Sequence, residues 1–379
     1  MSLNQTDPLL QELVSISSIN PDLVPGASGE LEITRFIARW LEQAGLEVHW
    51  QEVTPNRPNV VGILRGTGGG KSLILNGHID TVGVAGMTNP HQPTRREGRL
   101  YGRGAYDMKG GVAACMVAIA AAKQTPLRGD LIFTAVMDEE YAGLGTMAIA
   151  ERYQAGAALI AEPTEQQLVI AHKGFVWLDV ETRGVAAHGS RPDLGVDAIS
   201  HMGRFLGELE QLGEQLAGRT AHPLLGHGSL HASLIQGGQE LSSYPARCRL
   251  SIERRTLPGE TLSSVEAEFE AIVTRLYQAD PAFQATLHTT LARTPLETPP
   301  DSPIVQAVRN AAATRLAQPC PIIGVPYWTD AATLAAAGIP TVLFGPTGAG
   351  AHAEEEWVDL ASVRECAEIY LAVAQAFCQ

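Results

Sequence analysis

Five short segments, far apart in the chain, carry side chains that could bind divalent metal ions. The first is Gly77-His78-Ile79-Asp80 at the end of a β-rich run. The two-residue period of a strand puts His78 and Asp80 on one face. A metal-ligating imidazole commonly gives its other N–H to a carboxylate, which sets tautomer and orientation. A strand-edge histidine beside a solvated aspartate is the plain alternative. The second segment, Gly102-Arg103-Gly104-Ala105-Tyr106-Asp107-Met108-Lys109-Gly110-Gly111, is a glycine-rich loop entering a helix, with Asp107 as its one carboxylate. Glycines let the backbone approach a ligand closely. A helix N-cap is the simpler reading, and an aspartate there would repel phosphate. The third, Asp138-Glu139-Glu140, follows the buried-strand pattern DLIFTAVM. Adjacent carboxylates repel one another unless cations or protons intervene, although most such runs are solvated surface. Glu162 follows the run 157–160, and His352 follows the run 341–344 within Gly348-Ala349-Gly350-Ala351-His352. Each signal is weak alone. Together they offer imidazole and carboxylate ligands from separate strand ends, a donor set that suits Zn²⁺, Co²⁺ or Mn²⁺.

The elements that must position these residues alternate. Residues 8–18 and 29–44 read as helices; Leu31, Phe36, Ile37, Trp40 and Leu41 form an apolar stripe, and Gly45 stands where a helix-terminating glycine belongs. A strand is expected at 46–53. Two more, 59–64 and 72–76, are joined by Gly66-Thr67-Gly68-Gly69-Gly70 as a hairpin or a loose turn. Residues 104–122 begin as a loop and become an alanine-rich helix. Strand 130–137, helix 143–153 and strand 157–160 continue an α/β order with a mixed, largely parallel sheet. The character then changes. A strand at 175–183, a helix at 197–216, strands at 228–236 and 246–254, a helix at 263–278 and a strand near 287–292 spell a small α+β (ferredoxin-like) sandwich. The proline-rich stretch 294–303 reads as a linker, followed by a helix at 304–316, a strand at 341–344 and a helix at 360–377. The expected organisation is a catalytic domain in two segments, 1–180 and 294–379, with an inserted domain at 181–293.

The chain has 379 residues, which at about 150 per domain allows two or three domains. With 27 Lys and Arg against 41 Asp and Glu, the net charge is −14, which disfavours a nucleic-acid partner. The longest apolar run, 111–122, is too short to cross a bilayer, so no membrane partner is expected. No basic n-region or apolar h-region opens the chain, and Met1 to Leu3 are assigned no function. Cys115, Cys248, Cys320, Cys366 and Cys378 are scattered without a Cys-x-x-Cys pair, which fits a reducing cytoplasm better than a disulfide framework or thiolate zinc site.

The ordered set His78-x-Asp80, Asp107, Glu139-Glu140, Glu162, His188 and His352 resembles the M20 family of metallopeptidases and deacylases. That group includes acetylornithine deacetylase, succinyl-diaminopimelate desuccinylase, carboxypeptidase G2 and aminoacylase. The resemblance spans essentially the whole chain and implies a zinc-peptidase-like catalytic domain with an inserted lid and dimerisation domain. It further implies that His78, Asp107 and Glu162 hold one metal, that Glu140, His352 and a bridging Asp107 hold another, that Glu139 is the general base and that Asp80 orients His78. Zn²⁺ is the first expectation for the two ions, with Co²⁺ or Mn²⁺ as alternatives. The peptide after Asp107 is expected to be cis. Two such ions can share a water and polarise an amide carbonyl, while a carboxylate moves the proton to the leaving amine.

In the inserted domain, Arg183-Gly184-Val185-Ala186-Ala187-His188-Gly189-Ser190-Arg191-Pro192 resembles the family segment whose histidine reaches the partner subunit's site to bind an oxyanion. A lid-loop histidine without a partner is the bland reading. Glu253-Arg254-Arg255 looks like the family's acidic-x-Arg strand, so Arg255 is expected to bind a substrate carboxylate, with Arg254 on the opposite face. Ser242 stands where relatives carry an asparagine, and Pro326-Tyr327-Trp328-Thr329-Asp330 replaces a Gly-Thr or Gly-Ser, so Trp328 could shape an acyl or side-chain pocket. His172, Lys173 and Glu356 fit family positions with supporting roles. The resulting expectation is a cytoplasmic, homodimeric amidohydrolase that removes an acyl group from an N-acyl amino acid, acetylornithine deacetylase-like. A carboxypeptidase G2-type enzyme releasing a C-terminal glutamate or cleaving a dipeptide is the alternative, and a metal-free binding protein on a degenerate fold is the non-catalytic one. Gly70-Lys71-Ser72 fails as a Walker A end because Arg65 replaces the first glycine and a strand follows. No Gly-x-Ser-x-Gly or His-Glu-x-x-His occurs.

Overall fold

The computed structural model describes residues 3–379. Met1 and Ser2, to which no function was assigned, lie outside the described residues. The chain forms two compact units: Met1–Ile170 with Thr298–Ile323 and Thr329–Gln379, and Ala171–Glu297 with Gly324–Trp328. The second unit starts ahead of the change in pattern near residue 181 because strand 174–183 belongs to it whole.

In the first unit the strands are β1 (Glu47–Thr54), β2 (Arg57–Leu64), β3 (Leu73–His78), β4 (Leu131–Val136) and β5 (Ala157–Ile160). They are followed by β6 (Leu168–His172), which runs on into the second unit. The sheet order begins β1-β2-β4-β3-β5, then the late strand Thr341–Leu343, then β6. The central pairs β3 with β4, β3 with β5, and β5 with Thr341–Leu343 are parallel, and the flanking pairs are antiparallel. The glycine run therefore closes no hairpin. β4 sits between β2 and β3, and the run is the loose connection, its Thr67 and Gly68 amides donating to the carbonyls of Leu127 and Arg128 (both 2.8 Å).

Helix α1 (Thr6–Ser15) and helix α2 (Leu31–Gln43) precede the sheet, and Gly45 follows α2 at φ +73. Helix α3 (Gly110–Ala122) is buried along its whole length. That is the signature of a core helix that is apolar all round. With the irregular turn before it, the apolar segment Ala105–Ala122 is 18 residues long and 89% buried, so the core already surrounds it. At Gly111 a Cβ would come within 2.0 Å of the Ala161 carbonyl oxygen, so only glycine lets α3 lie against the end of β5 beside Glu162. The C-terminal helix Leu360–Phe377 covers α3. Sequence patterning missed the six-residue helix Ala331–Ala336 and strand Leu168–His172.

The second unit has the expected strand–helix–strand–strand–helix–strand order. It comprises β7 (Gly174–Arg183), the helix Ala198–Gly218, β8 (Ser229–Gly237), β9 (Arg247–Thr256), the helix Leu262–Ala279 and β10 (Gln284–Arg293). Its antiparallel sheet has the order β8-β9-β7-β10. Alternation on β7 turns Val176, Leu178 and Val180 toward Met202, Phe205, Phe269 and Ile272 of the two helices. Asp197 caps the first helix, accepting from the amides of Ile199 and Ser200, and Thr261 with Ser264 forms a capping box on the second. All five cysteines are free and buried.

Candidate metal centre

The parallel strands β3, β4, β5 and Thr341–Leu343 end at one edge of the sheet. This is where open α/β folds gather functional side chains, because loops leave the carboxyl ends together. His78 is the last residue of β3, opposite Val136 of β4, and Asn76 lies opposite Ile160 of β5. The loops after these strands bring Glu139, Glu140, Glu162 and His352 to the same place, and the turn before α3 adds Asp107.

Asp107 stands in the middle. Its Oδ1 is 3.1 Å from His78 Nε2, and its Oδ2 is 3.3 Å from His352 Nε2. Glu162 Oε1 is 3.7 Å from His78 Nε2, and Glu140 Oε2 is 3.1 Å from His352 Nε2. Two overlapping groups have mutually close donor atoms: His78, Glu139 and Glu162, and His78, Asp107 and Glu140. The peptide Asp107–Met108 is cis. His78 and Glu162 are buried, and the His352 side chain is about half exposed.

The electrostatics follow from crowding these carboxylates and imidazoles together. Burial pushes the Glu139 carboxyl well up, and Glu162, Asp330 and Glu140 push it further against the pull of His78. Burial takes Glu162 up to about 8, with Asp107 and Glu140 adding to the effect. Glu140 rises for the same reasons, burial first and then Asp107. Burial works against a charged His78, yet Glu162, Asp107 and Asp80 outweigh it and hold its pKa well above the usual imidazole range. Hydrogen bonds to Asp107 and Glu140 take His352 up to about 10. Burial would raise Asp107, but hydrogen bonds from His352 and His78 hold it below the usual carboxylate range. Without added cations, crowded carboxylates retain protons and nearby imidazoles gain them. Metal ions compete with those protons for the same lone pairs, so an oxygen-and-imidazole donor set of this kind fits divalent cations.

The supporting contacts come from Asp80, which the strand spacing marks, and from Glu356 and Asp330, which it does not. His78 Nδ1 is 3.0 Å from the Asp80 carbonyl oxygen and 3.5 Å from its carboxylate, so Asp80 faces the imidazole mainly through its backbone. The Asp80 carboxylate instead accepts the amides of Glu139 (3.1 Å) and Glu140 (3.2 Å). Glu356 is buried and accepts from the amides of Gly104 and Tyr106 (both 2.9 Å) and Asp107 (3.1 Å), and from Arg103 Nη1 (2.7 Å). One carboxylate thus ties the turn carrying Asp107 to the loop carrying His352, four residues earlier. Asp330, also buried, accepts from Thr146 Oγ1 (2.7 Å). In sequence Glu356 is marked only through its fit to a family position with a supporting role; its burial and its amide partners are what the fold adds.

The remaining expected residues belong to the second unit. His188 is exposed, with Nδ1 2.8 Å from Ser190 Oγ. Ser242 is exposed, and its carbonyl accepts the Gly189 amide (2.7 Å), which joins the two loops. Arg255 donates to Glu253 Oε1 (2.7 Å) and lies 5.3 Å over the Phe175 ring, whose edge-on neighbour at 6.2 Å is Trp328. Arg254 is fully buried and paired with Glu260 and Glu268.

Comparisons with known proteins agree with this arrangement. Peptidase family M20/M25/M40 matches residues 74–376. The chain is 30% identical to an acetylornithine deacetylase of Myxococcus xanthus over 97% of its own length and 96% of the relative's. It is 30% identical to an N-formyl-4-amino-5-aminomethyl-2-methylpyrimidine deformylase of Bacillus subtilis over 93% and 91% of the two chains. Its fold matches that of aminopeptidase PepT from Bacillus cereus with a TM-score of 0.82 at 19% identity, covering 100% of both chains. The cluster of carboxylates around two imidazoles is thus found in a chain that belongs to peptidase family M20/M25/M40 and is a metal-dependent hydrolase of amide or peptide bonds.

Proposed function

We propose that this protein removes a small acyl group from an N-acyl amino acid bearing a free carboxylate, as an acetylornithine deacetylase does. The observation that carries the chemistry is Asp107 facing His78 through one oxygen and His352 through the other. The two relatives support the acyl side: one removes acetyl and the other formyl, so they share a small acyl group and differ in the amine.

In this reading His78, Asp107 and Glu162 hold one divalent ion, and Asp107, Glu140 and His352 hold the other, Zn²⁺ before Co²⁺ or Mn²⁺. When bound, such ions polarise the amide carbonyl and make the attacking water more acidic. Glu139, held near the ligands yet not needed as one, takes a proton from that water and delivers it to the departing nitrogen. Its neighbour Glu140 stays ionised, so the two adjacent glutamates divide the work. Arg255, beside Phe175 and Trp328, supplies a guanidinium for the substrate carboxylate, and the Ser242 loop adds a polar contact. The partner subunit's His188 donates to the developing oxyanion. Such a role requires a homodimer, which we assign to the cytoplasm and to assembly through the second unit; exposed Leu234 and Ile235 on the edge strand β8 support that assembly.

The test is a substrate panel on protein reconstituted with Zn²⁺ or Co²⁺: N-acetyl amino acids including N-acetylornithine, N-formyl amines, and peptides ending in glutamate. Highest kcat/KM on N-acetyl amino acids is expected. Turnover confined to the peptides would replace the deacylase with the carboxypeptidase alternative.

A further inference from the structure

The segment that carries Glu139 and Glu140 is suspended from three side chains that no local motif contains. Asp138 adopts φ +69, a left-handed conformation uncommon outside glycine, and its carbonyl accepts the amides of Ala142 (3.1 Å) and Gly143 (2.6 Å). The Asp138 carboxylate is fully buried, as is that of Asp80. Between them lies the Asn20 carboxamide, whose Nδ2 donates to Asp80 Oδ2 (2.8 Å) and Asp138 Oδ1 (3.0 Å). The Asn20 Oδ1 accepts the Asp22 amide (3.0 Å), which fixes the amide face turned toward the carboxylates. Its backbone is pinned as well, the Asn20 amide donating to the Thr81 carbonyl (2.9 Å).

Arg57 approaches the same carboxylate from β2. Its guanidinium donates to Glu30 through Nε (2.9 Å) and Nη2 (2.6 Å), to Asp138 Oδ1 through Nη2 (3.1 Å), and to Asp22. Glu30 is fully buried and serves as the anchor that orients the fork. Two residues along β2, on the same face, Asn59 accepts the Met137 amide (3.0 Å) and donates to the Gly145 carbonyl (2.9 Å). Arg57 and Asn59 therefore grip both ends of the connection that contains the two glutamates.

We propose that Asn20 and Arg57 are positioning residues for the hydrolysis: acting through Asp80 and Asp138, they set the aim of Glu139 and Glu140. The inference rests on the reading of Glu139 as base and Glu140 as ligand. The physical reason is the short lever. The Glu139 and Glu140 amides hang from Asp80, and Asp80 is held by Asn20, so loss of the carboxamide leaves two buried carboxylates facing each other without their shared donor. Supporting partners of this kind set metal affinity and rate together, and small displacements of a reacting group cost large factors in rate.

The test uses metal-reconstituted full-length protein with Asn20→Ala, Arg57→Lys and the charge-neutral pair Arg57→Met with Glu30→Gln. The last keeps the net charge of the site and leaves no unpaired Glu30 carboxylate, while Asp138 loses its fork. Zn²⁺ affinity is measured by chelator competition without substrate, and kcat and KM are measured separately. Expected for Asn20→Ala is a loss of about 10–100-fold in kcat and in affinity for the weaker ion, with KM within about threefold. Arg57→Lys, which keeps the charge but not the fork, should show the same split to a smaller degree. Folded variants with lowered melting temperatures but parental kcat and Zn²⁺ affinity would overturn the proposal and leave the network merely structural. Glu139→Gln run alongside separates the two readings. If it retains turnover, the base assignment fails, while the affinity readout still judges the positioning of Glu140.

Discussion

In the second unit, the buried Arg254 guanidinium donates to Glu260 (2.6 Å) and Glu268 (3.2 Å), and Asp179 on β7 is met by Arg249 and by Ser251 Oγ (2.6 Å). At the strand-end centre of the first unit, Asp107, Glu140 and Glu162 are met by the imidazoles of His78 and His352. A guanidinium stays charged at every accessible pH, so the second unit closes its charges internally. An imidazole does not, and the centre holds more carboxylates than imidazoles. Its charge is completed by whatever binds, protons or divalent cations. The difference separates a carboxylate cluster that maintains a fold from one that does chemistry.

Four measurements break or sharpen that comparison. The largest effect is expected for Glu139→Gln, which should keep two equivalents of metal while kcat falls by about 10²–10⁴; metal retained with activity near the parent would remove Glu139 as the base. Next, His188→Ala should keep metal and dimer, measured by metal analysis and light scattering, while kcat falls by about 10²–10³. An unchanged kcat would detach the second unit from catalysis. On the other side of the comparison, Arg254→Met leaves Glu260 and Glu268 without their buried partner and should cost about 3–5 kcal/mol in denaturant unfolding. Parental stability would show that the second unit does not depend on closing its charges.

The smallest effect concerns Asp330, whose carboxyl burial pushes up to about 7 in spite of the Thr146 hydrogen bond. Its folded pKa exceeds the unfolded value of about 3.9. The folded, metal-free protein therefore keeps a proton that the unfolded chain releases, and stability declines as pH rises from about 4 to 7. Asp330→Asn should flatten that part of the profile in the metal-free protein. An unaltered slope would assign it to other groups.

Much of the fold was legible because its signals are local. DLIFTAVM gave away β4, and the all-apolar stretch after Gly110 announced a buried helix. The order of elements in 174–293 was readable because each strand alternates over a sheet with one covered face. The glycine run is the loose turn of its two readings; the hairpin alternative fails because β4, from more than fifty residues later, pairs with both β2 and β3. Helix Ala331–Ala336 is too short to show a period.

His78, Asp107, Glu139, Glu140, Glu162 and His352 stand out as residue types because each sits at a strand or helix end, where local pattern marks a boundary. That much the linear order of side chains determines by itself, since alternation, helical period and glycine placement act over a few residues. Asn20, Glu30 and Arg57 draw no attention in the sequence, and Glu356 only through its fit to a family position. Their charged side-chain partners lie 27 to 253 residues away, and an asparagine or arginine in a polar stretch looks the same whether solvated or buried. Only the folded sheet, by excluding water from the carboxyl ends of its central strands, made those groups satisfy one another, and that requirement set where the reacting carboxylates point.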